Sequence, residues 1–221
     1  MTNKIVAIGD IHGCPKSLES LWKKLEPYEE YIHVFVGDYI DRGPDSKAVV
    51  DFLLDVKNER KLVFLRGNHE LMLLDAMSTG SSRNWMMNGG KTTLESYGKG
   101  AALSDIPDDH IEFYKKTRLY YETDDYFFVH AGIPPSLTIE ESKEDKSAHD
   151  YFLWGRDHLN AFAPPWEKTV VFGHTPQPFP IQQRGMIGID TGCVYKRDGL
   201  GKLTAVRLPE KKFMQQPCLD W

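Results

Sequence analysis

The chain has 221 residues, of which 41% are hydrophobic and 27% are charged, and its formal net charge is −5. This length and composition are typical of a globular protein with one sizeable core, and we predict a single domain over residues 1–221. The acidic balance argues against binding of nucleic acid or of anionic membranes, because both need a basic face.

Five short apolar runs share one design, since each is followed at once by polar residues. The runs and the residues after them are 4–8 before Gly9-Asp10, 33–36 before Gly37-Asp38, 61–65 before Arg66-Gly67-Asn68-His69, 126–129 before His130, and 169–172 before Gly173-His174. Near-continuous apolar runs of this length predict strands that are buried on both faces.

Helical patterns lie between the first three of these runs. Residues 17–25 place Leu18, Leu21, Trp22 and Leu25 on one helix face, residues 45–56 have similar spacing, and residues 70–77 are apolar. This alternation predicts βαβ units in a parallel sheet. Ligands of such sheets bind beyond the carboxyl ends of the strands, so we expect the polar residues that follow the strands to meet at one edge.

The last third of the chain has a different pattern. Residues 186–190 and 203–208 predict strands with few helices between them, and we expect a second sheet that packs on the first. Residues 78–90 and 134–150 are predicted to be long loops, which are often functional in compact domains. In the first of these loops, Trp85, Met86 and Met87 could cover the substrate or pack against the core.

The chain contains three cysteines, Cys14, Cys193 and Cys218. Their number is odd and their spacings match no zinc motif, so we expect no disulfide framework, a reducing compartment, and a buried thiol at Cys193. The apolar run before Gly9 is too short for a secretory signal, and no run approaches the roughly 20 residues that span a bilayer. We therefore expect a soluble cytoplasmic protein.

The polar residues at the strand ends include six potential metal ligands: Asp10, His12, Asp38, Asn68, His130 and His174. A mixed set of imidazoles, carboxylates and an amide suits Mn, Fe or Zn better than Ca or Mg. Six side chains are too many for one catalytic metal that keeps an open position. They suit two metals that share a bridging carboxylate and together stabilise an in-line displacement.

The motifs around these residues resemble those of a known family. In chain order they are GDIHG (9–13), GDYIDRG (37–43), GNHE (67–70), HAG (130–132) and GHT (173–175). They are similar to the successive signatures of the calcineurin-like metallophosphoesterases, and more closely to those of the phosphoprotein phosphatases in their bacterial and phage branch. The resemblance implies an α/β fold of two packed mixed β-sheets flanked by helices, with a dinuclear metal site at the carboxyl ends of the strands.

The resemblance also implies a role for each residue of the site. Asp10 and His12 would hold the first metal, Asp38 would bridge both, and the second metal would be held by Asn68, His130 and His174. Two divalent ions are implied, Mn²⁺ first and Fe or Zn as alternatives.

Four further residues would act on the substrate during in-line attack by a hydroxide that bridges the metals. His69 would be the general acid for the leaving alcohol, and Asp41 would orient it. Arg42 would grip the phosphoryl oxygens, and Arg156, in LWGR (153–156), matches a second phosphate-binding arginine.

Simpler interpretations stay open for single residues. Each potential ligand taken alone could be a turn residue or a hydrogen-bonded polar residue near the core. His69 and Asp41 could form a structural ion pair. Arg42 could pair with Asp45, and Arg156 with Asp150 or Asp157. The remaining histidines fit no motif and are interpreted as surface or structural: His33, His110, His149 and His158.

Three functions agree with this pattern. The first is hydrolysis of phosphoserine and phosphothreonine in proteins or peptides, and the second is a symmetrical bis(5'-nucleosyl)-tetraphosphatase, with nucleotides as substrates. The third, a silent metal-binding module, is disfavoured because no ligand is missing. Tetraphosphatases with similar motifs typically lack the counterpart of Asp41 and have GNHD in place of GNHE. This chain has Asp41 and Glu70. We therefore predict a serine/threonine protein phosphatase.

Overall fold

The structure is a computed structural model that describes residues 4–221. Its strands are β1 Ile5–Ile8, β2 Ile32–Phe35, β3 Lys61–Phe64, β4 Tyr120–Glu122, β5 Tyr126–Val129, β6 Thr169–Phe172, β7 Ile181–Gln183, β8 Met186–Gly188, β9 Asp190–Thr191, β10 Lys202–Leu208 and β11 Lys212–Pro217. Its α-helices are α1 Pro15–Lys24, α2 Ser46–Val56, α3 Asn68–Thr79, α4 Arg83–Trp85, α5 Lys91–Tyr97, α6 Asp108–Lys116, α7 Ile139–Glu144 and α8 Ala148–Trp154.

The strands form two mixed sheets. The first has the order β11-β10-β1-β2-β3, with β9 paired to β10, and the second has the order β4-β5-β6-β8-β7. Pairs β1–β2 and β2–β3 are parallel, as are β5–β6 and β6–β8. The predicted βαβ units are therefore confirmed, and in both sheets the parallel strands point their carboxyl ends in one direction.

Strand β1 shows why the central strands are apolar on both faces. Ile5 and Ala7 face the second sheet and pack with residues such as Val171, whereas Val6 and Ile8 face the core under the helices. A third core lies between the second sheet and α7 and α8. The order of layers is helices, sheet, sheet, helices, which is the two-sheet α/β architecture implied by the sequence motifs.

The helices begin where local chemistry favours a start. Pro15 occupies the first turn of α1, where its missing N–H costs nothing. Asp45 accepts a hydrogen bond from the Ala48 backbone N–H and so caps α2. None of the helices within residues 4–221 is both long enough and apolar enough to cross a membrane.

Three sequence-based predictions were wrong in part. Residues 78–90 are not one long loop, because they hold the end of α3, the short helix α4 and a π-helical turn, Met86–Gly90, that is kinked at Gly89. Residues 134–150 were also predicted to be a loop, but they contain α7 and the start of α8. In the first segment, glycine and serine suggested a loop, yet burial of Trp85 stabilises the helical turns.

The third error concerns the last third of the chain. Residues 186–190 were predicted to be one strand, but β8 joins the second sheet and β9 joins the first. The strand at 203–208 was expected in a second sheet, whereas β10 pairs antiparallel with β1 at the centre of the first. Pairing over such sequence distances is not encoded in local hydrophobic patterns.

Candidate active site

The potential metal ligands at the strand ends lie together, as the fold argument predicted. Asp38, which follows β2, lies at the centre of the group. Its Oδ2 is 3.4 Å from Nε2 of His12, and its Oδ1 is 3.4 Å from Nε2 of His130. The two oxygens of one carboxylate thus face imidazoles from opposite halves of the site, which is the arrangement needed for a bridging ligand.

The second half of the site gathers three ligand atoms. Oδ1 of Asn68 lies 2.9 Å from Nε2 of His130 and 3.0 Å from Nδ1 of His174. The two imidazole nitrogens are 3.2 Å apart. These residues follow β3, β5 and β6, so both sheets contribute to this cluster.

Two of the imidazoles are oriented by backbone carbonyls. Nδ1 of His12 lies 2.9 Å from the Ile40 carbonyl oxygen, and Nδ1 of His130 lies 2.9 Å from that of Val36. With Nδ1 donating to these oxygens, each Nε2 presents its lone pair to the site. Hydrogen bonds of this kind fix the tautomer and orientation of metal-binding histidines.

Asp10 completes the carboxylate set. Its Oδ2 accepts a hydrogen bond from the His174 backbone N–H at 2.9 Å, while its Oδ1 is buried and has no hydrogen-bond partner in residues 4–221. Burial, followed by the nearby Asp190 and Asp38 carboxylates, raises the pKa of Asp10 well above its usual range. A buried carboxylate oxygen without a partner is costly unless a cation meets it.

The residues present therefore fit a pair of divalent cations. Two groups that could each hold a metal share Asp38: His12, Asp38 and His69 in one, and Asp38, His130 and His174 in the other. The donors are nitrogens and oxygens, as first-row transition metals prefer. His69 appears in the first group although the sequence motifs assign it to acid catalysis.

The backbone is strained at the same place. Outside glycine, positive φ angles in the described residues occur at His12, Asp38, Asp41, Arg42, His174 and Lys211. Only the last of these is not a predicted site residue. Such conformations persist where the surrounding structure imposes them, and they cluster at functional sites.

Glycines in the motifs allow the strand ends to approach closely. A Cβ at Gly37, whose φ is +109°, would lie 2.6 Å from the Gly67 backbone nitrogen and 2.9 Å from Nδ1 of His130. A Cβ at Gly173 would collide with the carboxylate of Asp10. Gly37 and Gly173, which precede Asp38 and His174, are therefore required for side chains from different strands to meet.

His69 and Asp41 form a buried pair beside the metal ligands. Nδ1 of His69 is 2.6 Å from Oδ2 of Asp41, and its Nε2 points towards Asp38, whose Oδ2 is 4.0 Å away. Burial alone lowers the pKa of His69, but the carboxylates of Asp38 and Asp41 outweigh it and raise the pKa above its usual value. The pair can therefore present a proton on Nε2.

Asp41 is held by a cage of hydrogen bonds that sequence reasoning did not identify. Its Oδ1 accepts hydrogen bonds from Thr93 Oγ1 at 2.6 Å and from Trp85 Nε1 at 3.0 Å. Its backbone N–H donates to Ser46 Oγ at 3.0 Å. Trp85 is almost fully buried, so it packs and orients Asp41 and does not cover the substrate.

Glu70 has a positioning role that the motif comparison did not reveal. Its carboxylate accepts hydrogen bonds from the backbone N–H groups of Asp38, Tyr39 and Gly67, at 2.9–3.0 Å. These bonds cap α3 and fix the loop that carries Asp38. Burial and the Asp38 charge raise the pKa of Glu70 to about 8.

The two predicted phosphate-binding arginines occupy different environments. Arg42 is half-buried, and its Nη1 lies 2.7 Å from Nε2 of His12. Arg156 is exposed, but it lies close enough to His174 to affect its pKa. Burial, then His130, and to a lesser extent the Arg156 charge lower the pKa of His174 to about 3. In the part of the chain that the structure describes, neither arginine forms the alternative ion pair with an aspartate. Asp45 instead caps α2.

Residues outside the motifs also have assignable positions. Of the histidines interpreted as surface or structural, three are buried and His149 is half-buried. The predicted buried thiol at Cys193 is confirmed, and all three cysteines are free. Asp190 is a further buried carboxylate near Asp10, and burial raises its pKa to about 7. No sequence motif had identified it.

Comparison with known proteins agrees with the motifs. The profile of the calcineurin-like phosphoesterase family matches residues 3–195. An asymmetrical bis(5'-nucleosyl)-tetraphosphatase PrpE from Oceanobacillus iheyensis is 33% identical, over 96% of this chain and 91% of that protein. Serine/threonine-protein phosphatase 1 from Salmonella typhimurium is 32% identical, over 91% of this chain and 90% of that protein.

A solved structure described as a candidate diadenosine tetraphosphatase superposes with a TM-score of 0.70 and 24% identity. It covers 100% of this chain, and this chain covers 96% of it, so the two share a fold. The tetraphosphatases named among the relatives are asymmetrical, whereas the alternative derived from the sequence was a symmetrical one.

Proposed function

The chain belongs to the calcineurin-like phosphoesterase family, and we propose that it hydrolyses phosphoserine and phosphothreonine in proteins. The observation that carries this proposal is the buried pair formed by His69 and Asp41 at 2.6 Å. A serine alkoxide is a poor leaving group and needs a well-oriented acid. The Asp41 cage of hydrogen bonds supplies this orientation.

In this proposal, each residue acts on a defined part of the substrate. Arg42 and Arg156 bind the phosphoryl oxygens, because a guanidinium presents two parallel donors to such groups. His69 delivers a proton from Nε2 to the departing oxygen, and Asp41 stabilises the imidazolium before transfer. Positioning and charge neutralisation are what phosphoryl transfer chiefly requires.

Members of this family use divalent metals, and we propose Mn²⁺ for this chain, held by Asp10, His12, Asp38 and the cluster around Asn68. Two such ions would neutralise phosphoryl charge and lower the pKa of bound water. Asp38 would be shared by both ions, since its two oxygens face opposite halves of the site. We further propose a cytoplasmic location.

A second candidate is hydrolysis of dinucleoside tetraphosphates, and one surface residue favours it. Trp154 is 41% exposed, and its ring lies 6.2 Å from that of His174 in an edge-on arrangement. An exposed aromatic side chain beside the site offers a stacking surface for a nucleobase. Relatives named as bis(5'-nucleosyl)-tetraphosphatases indicate which class of nucleotide this candidate would hydrolyse.

The two candidates can be separated in a single assay. The protein is stripped of metal and given Mn²⁺, and kcat/KM is measured for a phosphoserine peptide and for diadenosine tetraphosphate. We expect the peptide to be preferred. Preference for the dinucleotide would contradict the protein phosphatase proposal. Its products would then define the reaction, because AMP with ATP indicates asymmetrical cleavage and two ADP indicate symmetrical cleavage.

The variant Trp154→Ala serves as a matched control. If a nucleobase stacks on Trp154, the variant raises KM for the dinucleotide and leaves KM for the peptide unchanged. If the dinucleotide is only an incidental substrate, both KM values stay as in the unmodified protein.

A further inference from the structure

The three cysteines of the chain meet at one place. Cys14 precedes α1, Cys193 follows β9, and Cys218 follows β11, yet their sulfur atoms all lie within 4.8 Å of one another. These are all the cysteines in the sequence. Residues 14 and 218 are separated by almost the entire chain, so the cluster is a product of the fold and not of a local motif.

The spacing of the sulfurs suits a metal better than a disulfide. Zinc binds thiolate at about 2.3 Å, which places tetrahedral sulfurs about 3.8 Å apart. Since the sulfurs lie within 4.8 Å of one another, a contraction of about 1 Å at most would reach that geometry. A disulfide needs a sulfur separation of about 2.05 Å and would leave the third thiol unpaired.

The surroundings of the cluster provide both access and support. Cys14 and Cys193 are buried, whereas Cys218 is partly exposed and offers a route from solvent. The Asp220 backbone N–H lies 3.5 Å from Sγ of Cys218, and a carboxylate oxygen of Asp220 lies 4.0 Å from the same sulfur. A fourth coordination position could therefore be filled by this carboxylate or by solvent.

We propose that Cys14, Cys193 and Cys218 form a third metal site, for a thiophilic cation of the Zn²⁺ type. Sulfur ligands select such ions, while the imidazole and carboxylate ligands around Asp38 select harder ones. The site is separate in composition from the proposed dinuclear centre, and the inference does not depend on which ester is hydrolysed.

The bound ion would add a link between three segments that hydrogen bonds already bring together. The C-terminal residues reach the start of α1 through the Asp220 carboxylate, which accepts hydrogen bonds from the Lys16 and Ser17 backbone N–H groups. Trp221 Nε1 donates to the Cys193 carbonyl oxygen at 3.3 Å. A metal at the cluster would tie this end of the chain to the loop that carries His12 and to the segment that follows β9, which carries Asp190.

Titration with Co²⁺ tests the site directly. The full chain, kept reduced with a phosphine, is stripped of metal and titrated while the near-ultraviolet spectrum and the bound metal are recorded. Thiolate bound to Co²⁺ gives an intense charge-transfer band, and the dinuclear centre contains no thiolate. We expect three equivalents of Co²⁺ to bind, one of them with this band.

Two variants serve as matched controls. In Cys218→Ser, which alters the partly exposed ligand, the band should disappear and two equivalents should remain. In Asp38→Asn, the band should persist although metal at the dinuclear centre is lost. Absence of the band from the unmodified protein, or its persistence in Cys218→Ser, would overturn the proposal and leave three free thiols, of which the two buried ones act as small apolar groups.

A second measurement needs no variant. Thiols are alkylated with and without one added equivalent of Zn²⁺ beyond the two for the dinuclear centre, and the modified groups are counted by mass. Because Cys14 and Cys193 are buried with or without the ion, the readout is Cys218, which we expect the ion to protect. Equal alkylation with and without the ion would contradict the proposed site.

Discussion

At the residue scale, Asp38 is the position on which both halves of the site depend. Its oxygens face His12 and His130 at 3.4 Å each, and its backbone N–H is fixed by Glu70. Although burial opposes ionisation, the surrounding imidazoles, first that of His130, hold the pKa of Asp38 well below its usual value.

We predict that Asp38→Asn lowers the bound metal from two ions to one or none and abolishes turnover. An amide has one acceptor oxygen, so it cannot bridge two cations as a carboxylate does. Metal content by elemental analysis and kcat on a phosphopeptide check this. Two bound ions together with full turnover would contradict the dinuclear arrangement.

At this scale the sequence predicted which potential ligands meet at the site better than it predicted their supports. Asp10, Asp38 and His130 could be identified because each lies within two residues of the end of an apolar run. Thr93 and Trp85, which hold Asp41, could not, because they lie on later helices and reach the site only through tertiary packing.

At the element scale, the helical segment from α4 to α5 orients Asp41 of the proposed catalytic pair. Trp85 and Thr93 donate to Asp41, and the carbonyl oxygen of Gly89 accepts a hydrogen bond from the Arg42 backbone N–H at 3.3 Å. The composition of this segment suggested a loop, since it contains several glycines and serines. Its helical turns depend on burial of Trp85, which local propensity does not report.

We predict that Trp85→Phe lowers kcat on a phosphoserine peptide by roughly tenfold, because a hydrogen bond to a charged group contributes about 1.5–3 kcal/mol. Metal content should not change, because Trp85 contacts no ligand. The descending limb of the pH–rate profile should shift to higher pH, since loss of the indole hydrogen bond makes the Asp41 carboxylate more basic and so favours the imidazolium of His69.

Thr93→Val is the matched variant, because it removes the other donor to the same carboxylate oxygen. A similar shift in both variants supports a positioning role for the cage. An unchanged pH profile in both would indicate that these donors stabilise the fold and do not tune the catalytic pair.

At the scale of the whole molecule, buried histidines outside the site make stability dependent on pH. Burial lowers the pKa of His158 to about 4, and burial together with Arg60 lowers that of His33 to about 4. In the unfolded chain both would titrate near 6.5. Their stabilising contribution is therefore fully present above about pH 6.5 and is lost as the pH falls towards 4.

We predict that the free energy of unfolding decreases over this window, by up to about 1.4 kcal/mol per pH unit for each histidine. Both ring nitrogens of His158 lack hydrogen-bond partners in residues 4–221. The variant His158→Phe should therefore take up one proton fewer on unfolding, which reduces the slope of the unfolding free energy against pH. Chemical denaturation at several pH values measures this. An unchanged slope in the variant would contradict the assignment.

The architecture was predictable in part at this scale. The parallel strands of the first sheet follow from the alternation of apolar runs and helical patterns. The placement of β10 beside β1 does not, because that pairing joins residues about 200 positions apart, Ile5 with Leu208. Assignment of residues 1–221 to a single domain stays a prediction.

The proposed acid role of His69 is tested most directly by the dependence of turnover on the leaving group. His69→Asn is compared with the unmodified protein, in Mn²⁺, on a phosphoserine peptide and on p-nitrophenyl phosphate, whose leaving group needs no proton. We predict a loss of about 10²–10⁴-fold in kcat on the peptide and a much smaller loss on the aryl ester. Metal content is measured in parallel, because His69 lies within ligand distance of His12 and Asp38. Equal losses on both substrates, or loss of a metal ion, would contradict the assignment of His69 as the general acid.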